Sequence, residues 1–546
     1  MAEAFDYIIV GAGSAGCVMA NRLSVDPRNR VLLLESGGEN KTFLVDMPKG
    51  LGKLVVDPKF SWQYQVGQAR GGKVNVNESW VRGRGLGGSS AVNGMIYVRG
   101  QPADYEIWAR EAGPEWGWSA MKQAFRAIED HELGDNGVRG VGGPVHVAPS
   151  KFRYPLAEKA IQAGEQMGLK RKDDLNEEDQ EGVGYYSFNI KNGKRQSASV
   201  AFLDPIRSRP NLKIVTGVDV DRVLFTGRRA SGVACRLNGE KVEYSTDGEI
   251  ILATGAVNSP KLLQLSGIGP AALLQKHGIE VVQDSPDVGR RLLEHLGLGL
   301  TYRLKGGEAG INHRYYGAGL ALSVAQYMLT RTGPMAVGAM EVGAFVRVSP
   351  NSSRPDAQLY VTGITLDIPK DSNDAAPMQS VEKLAGMTVY GQLIGLESEG
   401  ALEITSPNPD SPLDIKPNWL TSPKDRQAVI DMVHYIRRYV SQPALATYID
   451  EEMRPGADVV TDEQILAAAE RLASCGTHAV RTCRMGKDEQ SVVDERLRVR
   501  GVHGLRIADC SVMPGLISGN TNAPAMATGW RASDLILEDA RLRNAA

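Results

Sequence analysis

The feature that most constrains this chain is a glycine-rich turn between a short apolar run and an apolar periodic stretch. The run Tyr7–Val10 leads directly into GAGSAG, which occupies residues 11–16. An apolar run of this length is typical of a parallel strand that is buried on both faces. Strand, GxGxxG and helix in this order form the dinucleotide-binding fingerprint. The start of the chain is therefore predicted to be a Rossmann-like α/β unit.

Each glycine of this turn has a physical reason to be glycine. Gly11 permits the tight turn, Gly13 lets the backbone approach a pyrophosphate, and Gly16 lets the helix pack against the strand. The N-terminus of the helix, with Ser14 and Ala15, offers free N–H groups to phosphate. These five residues are predicted to bind the cofactor.

The acid expected after the second strand of such a unit is also present. Residues 31–34 form a second apolar run, and Glu35 follows 19 residues after Gly16. Its carboxylate can accept both hydrogen bonds of an adenosine ribose, and Ser36 is predicted to bind the cofactor beside it. The alternative is an ordinary glycine turn followed by a solvated acid, but strand, helix and acid in register favour the nucleotide site. The motif alone does not distinguish FAD from NAD.

Composition limits the other functions that the chain could have. Its 546 residues include 62 basic and 64 acidic side chains, a balance that gives no indication of nucleic-acid binding. The length favours more than one domain. Five cysteines without CxxC spacing argue against a disulfide framework and favour a reducing, cytoplasmic location. No run approaches 18 apolar residues, so no transmembrane segment is predicted, while peripheral membrane contact stays open.

Two further glycine-containing segments indicate additional binding loops. Residues 83–100 read GRGLGGSSAVNGMIYVRG, where backbone N–H groups with Ser89, Ser90 and Asn93 could bind phosphate or polar ring atoms. Residues 255–269 read GAVNSPKLLQLSGIG and follow the apolar run 250–253. This second segment predicts a helix that starts at Pro260 under a Ser259 cap.

Both segments match, residue for residue, the two signature motifs of the glucose–methanol–choline (GMC) oxidoreductases. The chain resembles this family over its whole length, including THAVRTCRMG at 477–486 and DCSVMPGLISGNTNAP at 509–524. It is most similar to bacterial choline, sorbose and aliphatic alcohol dehydrogenases. The resemblance implies an α/β fold, a Rossmann-like FAD-binding domain split along the sequence, and a substrate domain whose antiparallel sheet is flanked by helices. It also implies oxidation of an alcohol to an aldehyde or ketone, by hydride transfer to flavin N5.

The expected division of the chain follows from strands that suit one parallel sheet, at the N-terminus, at 250–253 and at 505–508. We predict an FAD domain from 1–155, 201–304 and 476–546, and a substrate domain from 156–200 and 305–475. The resemblance adds cofactor-binding residues from several parts of the FAD domain: Arg84, Gly87, Gly88, Ser89, Asn93, Gly94, Met95, Val220, Gly255, Asp509, Cys510, Thr521 and Asn522.

The predicted catalytic base is His478. An alcohol that loses a hydride needs a base for its hydroxyl proton, and histidine suits this because its pKa lies near working pH. Among eight histidines, His478 stands where the family places its catalytic histidine. Without the resemblance, a satisfied and partly buried histidine would be the better interpretation. His295, in GRRLLEHLG, departs from the family's NLQDH segment and is given no role.

The second predicted catalytic residue is Asn522, interpreted as the N-cap of a helix with Pro524 in its first turn. By resemblance, its amide would bind the substrate oxygen beside His478, and the helix would aim its positive end at the flavin N1–C2 carbonyl. Many family members have a second histidine at this position. Asparagine cannot be a base, so His478 is expected to act alone. Arg481 stands where the family often has Gly, and its charge could lower the pKa of the base.

The resemblance also predicts how FAD is held. Some members attach FAD to a histidine in the GGSS loop, but the matching residue is Val92, so non-covalent FAD is predicted. Metal ligation is not expected, because Cys475, His478 and Cys483 have no recognised ligand spacing. Electrons would pass to oxygen or to another acceptor, such as a quinone or an artificial dye. Residues 335–341 are predicted to line a pocket for an uncharged aliphatic or aromatic alcohol.

Three alternatives to alcohol oxidation with FAD remain at this point. A nicotinamide-dependent dehydrogenase would explain only residues 11–35. A flavin-containing enzyme like the hydroxynitrile lyases would share the fold without using its redox chemistry. A non-enzymatic flavoprotein would have no need of His478.

Overall fold

Two large sheets organise the protein. The computed structural model describes residues 4–70, 74–306, 309–367 and 380–545. One sheet is mainly parallel, and the other is mainly antiparallel. The mixed α/β architecture agrees with the predicted fold class.

The parallel sheet is assembled from distant parts of the sequence. Its spatial order is Leu212–Thr216, Val31–Glu35, Phe5–Val10, Glu240–Leu252 and Leu505–Ile507. The first half of Glu240–Leu252 leaves this sheet and pairs antiparallel with Arg229–Leu237, which pairs with Val218–Thr226. The prediction that N-terminal, central and C-terminal strands share one sheet is confirmed.

Continuous apolar runs form the parallel sheet because both of its faces are covered. Ile8 and Ile9 are fully buried, and so are Leu32 and Leu33. Since successive side chains of a strand point to opposite faces, a buried pair in succession requires protein on both sides.

The second sheet has eight strands and carries helices Pro155–Gln166 and Pro423–Val440. Its spatial order is Ile449–Arg454, Leu296–Leu304, Gly386–Leu393, Ala357–Thr362, Val342–Val346, Gly182–Tyr185 and Arg171–Lys172, with Ser474–Cys475 paired to Leu296–Leu304. The predicted boundary at 304 had placed Leu296–Leu304 in the FAD domain. This strand pairs with Gly386–Leu393 of the second sheet, and we therefore propose a boundary before Leu296.

Smaller elements complete the fold. The paired ribbons are Ser61–Arg70 with Val74–Gly83, Glu129–His131 with Val145–Pro149 and Ser187–Phe188, Ile190–Lys191 with Lys194–Arg195, Ile268–Gly269 with Gln283–Asp284, and Ala401–Ile404 with Leu413–Lys416. The other α-helices are Ser14–Leu23, Phe43–Asp46, Leu51–Leu54, Pro102–Ala112, Trp118–Ile128, Gly255–Leu265, Ala271–Lys276, Gly317–Thr330, Pro443–Ala446, Asp462–Leu472 and Asn522–Ala545. Within the described ranges, no helix combines the length and the apolar character needed to cross a membrane.

The helix predicted to begin at Pro260 begins five residues earlier, spanning Gly255–Leu265 with Pro260 in its interior. Proline has no N–H to donate to the carbonyl four residues before it, which here belongs to Ala256. The Thr482 hydroxyl donates to that carbonyl at 2.7 Å. A tertiary hydrogen bond thus replaces the missing backbone bond, and Ser259 is an interior residue instead of the predicted cap.

Thr482→Val should destabilise the protein, because it removes this donor from the Ala256 carbonyl. The expected loss is about 1–3 kcal/mol in the free energy of unfolding, measured by calorimetry on flavin-loaded protein. In a Pro260→Ala background the backbone N–H is restored, so Thr482→Val should cost clearly less there. An equal cost in both backgrounds would contradict this account of the helix.

Candidate active site

A large cavity of about 890 Å³ lies along the carboxyl ends of the parallel strands and reaches the second sheet. Val10, Leu34 and Ala253, at or just beyond the ends of three parallel strands, line one part of it. Tyr360 and Gln392 of the second sheet line another part. Ligands of parallel α/β sheets bind at this edge of the strands.

The first glycine turn leaves open space at one position only. Gly11 has φ +100°, and a Cβ there would lie 2.6 Å from the Ala253 carbonyl oxygen. A Cβ on Gly16 would lie 2.0 Å from the Gly11 carbonyl oxygen. At Gly13 the nearest described atom would be 3.7 Å away. Glycine at 11 and 16 is therefore required by the protein's own backbone, whereas the space beside Gly13 suits a phosphate group.

Glu35 is buried and held by backbone N–H groups, so it is not a solvated strand end. Its Oε2 accepts from Ala12 N at 2.9 Å, and its Oε1 accepts from Gly37 N and Gly85 N, each at 2.9 Å. A carboxylate offers about four acceptor positions, so Glu35 can still accept from a ribose in the cavity.

The GGSS loop packs directly on the first glycine turn. Gly87 N donates to the Ala12 carbonyl at 2.9 Å. A Cβ on Gly88 would lie 2.7 Å from Gly13 Cα, which is closer than real side chains come. The two predicted binding loops are therefore one continuous wall of the cavity.

The structure brings nearly all predicted cofactor residues to this cavity. Gly16 and Gly87 lie behind it and shape the turns. The Ser90 hydroxyl donates to the Gly87 carbonyl at 2.5 Å and is absent from the lining. The predicted residues that line the cavity are Gly11, Gly13, Ser14, Ala15, Glu35, Ser36, Arg84, Gly88, Ser89, Asn93, Gly94, Met95, Val220, Gly255, Asp509, Cys510, Thr521 and Asn522.

Asp509 joins the last parallel strand to the helix Gly255–Leu265. Its Oδ2 accepts from Gly255 N at 2.8 Å and from the Ser259 hydroxyl at 2.6 Å. Burial raises the pKa of this carboxyl, and the hydrogen bonds oppose that effect. The contact fixes the helix N-terminus beside the cavity.

His478 and Asn520 meet at the other end of the cavity. His478 Nε2 lies 3.1 Å from Asn520 Nδ2. Asn520 Oδ1 accepts from Gln358 Nε2 at 3.2 Å, which turns the Asn520 N–H groups toward the imidazole. Sequence reasoning did not assign Asn520, although it lies two residues from the asparagine that was predicted.

Asn522, the predicted partner of His478, contacts other residues. Its Oδ1 accepts from the Ser14 hydroxyl at 2.7 Å, and its Nδ2 lies 3.5 Å from Asn189 Oδ1. The helix starts at Asn522, and Ala525 N donates to the Thr521 carbonyl. Asn522 is thus the first helical residue and not the cap, and it faces the first glycine turn. Asn520, still in the preceding loop, occupies the place beside His478.

His295, to which no role was assigned, packs edge-on against His478. Its Nδ1 lies 3.1 Å from His478 Nδ1 and 3.1 Å from Gln392 Nε2. The neighbouring Glu294 accepts the backbone N–H of His478 at 2.6 Å. The resemblance of GRRLLEHLG to the family segment is a signal for His295, although Arg291, Leu293 and Glu294 depart from that segment.

The surroundings disfavour the doubly protonated, positively charged form of both rings. Burial, followed by His295 and Arg82, holds the pKa of His478 well below its usual value. Burial also lowers the pKa of His295 to about 3. Arg82 lies 3.2 Å from the buried Glu294 carboxylate, so an ion pair stands beside the two neutral imidazoles.

The sequence suggested Arg481 as the cation that lowers the pKa of His478. In the structure, the cation that acts on His478 is Arg82. The Arg481 guanidinium donates to Glu399 at 2.6 Å. Its backbone has φ +74°, a left-handed conformation in which glycine is favourable. In the described part of the chain, no group of His, Cys, Asp and Glu side chains could hold a metal ion.

The predicted pocket segment contributes uncharged side chains to the cavity lining. From the predicted segment 335–341, Ala339 and Met340 line it. The Glu341 carboxylate is instead buried against Lys49 Nζ at 3.4 Å and the Tyr154 hydroxyl at 3.1 Å. Further lining residues that sequence reasoning missed are Leu51, Val55, Ile96, Tyr360, Tyr390 and Gln392.

A nucleotide-binding glycine turn and a buried histidine on one cavity are the arrangement expected of a dinucleotide-dependent oxidoreductase. The chain belongs to the GMC oxidoreductase family, whose two models match residues 5–297 and 397–529. It is therefore an FAD-dependent enzyme that acts on the CH–OH group of donors. The open space at Gly13 and the buried acid Glu35 fit such a cofactor.

Relatives and solved structures agree with this assignment. The chain is 38% identical to alcohol dehydrogenase [acceptor] from Pseudomonas putida, over 98% of this chain and 96% of that protein. It is 37% identical to human mitochondrial choline dehydrogenase, over 98% and 90% of the two chains. Pyridoxine 4-oxidase from Mesorbium loti superimposes with a TM-score of 0.86 at 30% identity, over 97% and 98% of the chains. These matches favour neither a nicotinamide enzyme nor a lyase.

Gly13→Val should abolish FAD retention while the protein still folds, because the side chain would fill the open space beside the backbone. The flavin-to-protein absorbance ratio measures retention, and circular dichroism measures folding. Gly16→Val is the matched control: its Cβ meets the Gly11 carbonyl, so this variant should lose thermal stability itself. A folded Gly13→Val protein with stoichiometric FAD would contradict the assignment.

Proposed function

We propose that the protein oxidises an uncharged alcohol with His478 as the general base and Asn520 as the second group on the reacting oxygen. The observation that supports this most is the 3.1 Å pair of His478 Nε2 and Asn520 Nδ2 on the cavity wall. A substrate hydroxyl that replaces this direct contact can accept from the amide and donate to the imidazole. General-base catalysis requires this geometry first and a suitable pKa second.

The neighbours of the ring support the tautomer that a base needs. With the Gln392 amide as it stands, its Nε2 donates to His295 Nδ1, so that nitrogen is an acceptor. His478 Nδ1 contacts the same atom and therefore carries the hydrogen. The lone pair of His478 Nε2 is then directed at Asn520 and the cavity. We propose His295 as a positioning residue that fixes this tautomer.

The low pKa of His478 keeps the ring neutral, and so able to accept a proton, at the working pH. Burial is the first cause, and the Arg82 charge adds to it. The neighbouring Glu294 accepts the His478 backbone N–H and so holds the segment that carries the ring. The arrangement therefore favours a base that is held neutral and is charged only during the reaction.

Our proposal for the cofactor uses the cavity lining. Residues 11–16 and Glu35 would hold the ADP part of FAD, and residues 84–95 with Asp509 and Cys510 would hold the rest. FAD supplies the acceptor for the hydride that the alcohol carbon loses. Val92 lines the cavity and has no nucleophile, which supports non-covalent attachment. A cytoplasmic location and delivery of electrons to oxygen, a quinone or a dye stay predictions.

The substrate class follows from charge. Glu341 is the acid of the predicted pocket segment, and its contacts with Lys49 and Tyr154 hold it away from the lining. A cationic alcohol would lose its hydration in this part of the cavity without a carboxylate partner, which is unfavourable. We therefore propose an uncharged alcohol, although several relatives are named for choline.

Choline should be a poorer substrate than its neutral carbon analogue, in which a quaternary carbon replaces the nitrogen. The two molecules have nearly the same shape, so the cost of burying an unpaired ammonium should lower kcat/KM for choline by about tenfold or more. Assays with oxygen and with an artificial acceptor in parallel make the result independent of the oxidant. Equal or better turnover of choline would refute the proposed substrate class.

His478→Ala should slow anaerobic flavin reduction by about 10²–10⁴-fold, the usual contribution of a general base. FAD should stay bound. In the wild type, the rate should not change with pH until the pH falls below the ordinary histidine pKa of about 6.5, because the pKa of His478 is depressed. The fall in rate at lower pH should be absent in the variant. Rapid mixing under nitrogen measures both rates. A variant with the wild-type rate and pH profile would place the base elsewhere.

Asn520→Ala and Asn522→Ala should affect different steps. Loss of the Asn520 donor should lower the rate of flavin reduction by about 10²-fold, by analogy with a lost oxyanion donor. Asn522→Ala should instead weaken FAD retention, because its side chain accepts from Ser14 in the first glycine turn. Stopped-flow kinetics and flavin titration separate the two effects. The reverse pattern would restore Asn522 as the catalytic partner.

A further inference from the structure

The helix Gly317–Thr330 presents apolar side chains to solvent. It contains no charged residue, and its buried residues are Ser323 and Tyr327. Leu322, Met328 and Leu329 are instead 72%, 53% and 85% exposed. A surface helix of a globular protein ordinarily shows the opposite arrangement, with its apolar side inward.

Neighbouring segments extend this apolar surface. Phe43 packs edge-on against Tyr327, with ring centroids 6.0 Å apart, and the adjacent Leu44 is also exposed. At the other end of the helix, the Tyr316 hydroxyl donates to the Lys383 carbonyl, next to the exposed Leu384. We define the docking patch as Phe43, Leu44, Leu322, Met328, Leu329 and Leu384. Apolar surfaces of this kind mark interaction sites.

Both ends of the docking patch are basic. Arg314 precedes the helix and Arg331 caps its C-terminus. Together with Lys383, these residues have no carboxylate partner within the described ranges. The acids nearby are already paired, Asp46 with Lys194 at 2.9 Å and Glu382 with Arg303. The patch therefore combines an apolar centre with a positive rim.

We propose that the docking patch binds the surface of a membrane that contains anionic lipids, with the helix lying in the interface. An apolar helix face flanked by basic residues is the pattern of interfacial membrane binding. A second copy of the chain fits less well. Because Arg314 and Arg331 mark opposite ends, a two-fold contact would bring like charges together in either helix orientation.

The same two segments build the patch and the wall of the substrate cavity. One segment continues from Phe43 and Leu44 to the lining residues Leu51 and Val55. The other continues from the helix to Ala339 and Met340. Docking would therefore bring this wall toward the lipid, where apolar alcohols are concentrated. The inference goes beyond the proposed function, because lipid binding does not require alcohol oxidation.

Vesicle sedimentation of the flavin-loaded enzyme tests the proposal. Wild type should bind vesicles of phosphatidylcholine mixed with phosphatidylglycerol, and should bind pure phosphatidylcholine less tightly. Leu322→Glu/Leu329→Glu should weaken binding about tenfold or more, because it removes two inserted side chains and adds repulsive charge. Val25→Glu/Val460→Glu is the matched control: both positions are exposed and outside the patch. This variant should bind like wild type.

Wild-type enzyme that does not bind anionic vesicles would overturn the proposal, as would equal binding by the patch and control variants. Sedimentation velocity without lipid tests the rival occupant. A wild-type dimer that Leu322→Glu/Leu329→Glu converts to monomer would assign the patch to a second copy instead. Unchanged turnover of a short, water-soluble alcohol by the patch variant verifies that this variant is folded. The comparison of the two vesicle types uses wild-type enzyme alone, so it tests the proposal even if the variant does not fold.

Discussion

The close contact between the two glycine loops is the constraint on which the cavity depends. Gly88 approaches Gly13 too closely for any side chain between them, and Gly87 donates to the Ala12 carbonyl. The buried Glu35 strengthens the contact, since its carboxylate accepts N–H groups from both loops. An acid buried so deeply must be satisfied by hydrogen bonds. Glu35 thus holds the loops together and still faces the place where a ribose would bind.

The proposed catalytic centre combines two buried imidazoles with a separate ion pair. A carboxylate that accepted a hydrogen bond from the His478 ring would orient the ring but would also raise its pKa. His295 orients the ring without adding a negative charge. The Arg82–Glu294 pair lies on the backbone side, where Glu294 accepts the His478 N–H. The orientation of the ring and the anchoring of its backbone are therefore supplied by different groups.

Local patterns made part of the structure predictable. The strand, turn and acid of residues 7–35 are contiguous, so their geometry follows from the sequence. Asn522 is the partner that the sequence predicts for His478, whereas in the structure Asn520 contacts His478 and Asn522 contacts Ser14, a difference in side-chain direction that the sequence does not show. Pro260 indicated a helix start, but the proline lies inside the helix. Its interior position depends on Thr482, more than two hundred residues away, so local sequence could not reveal it. Likewise, nothing in the apolar strand Leu296–Leu304 shows which sheet it joins.

The second sheet positions the His478 imidazole, our proposed base, through one cross-strand pair. Gln358 and Gln392 lie opposite each other on neighbouring strands. Gln358 fixes the Asn520 amide, which contacts His478 Nε2, and Gln392 fixes His295, which contacts His478 Nδ1. Both ring nitrogens are thus oriented by two side chains whose spacing the sheet itself sets. Because Asn522 meanwhile contacts Ser14 in the parallel-sheet domain, the loop at 519–522 connects the substrate sheet to the cofactor turn. These four residues therefore fix the position of His478 relative to the glycine turn that would bind the cofactor.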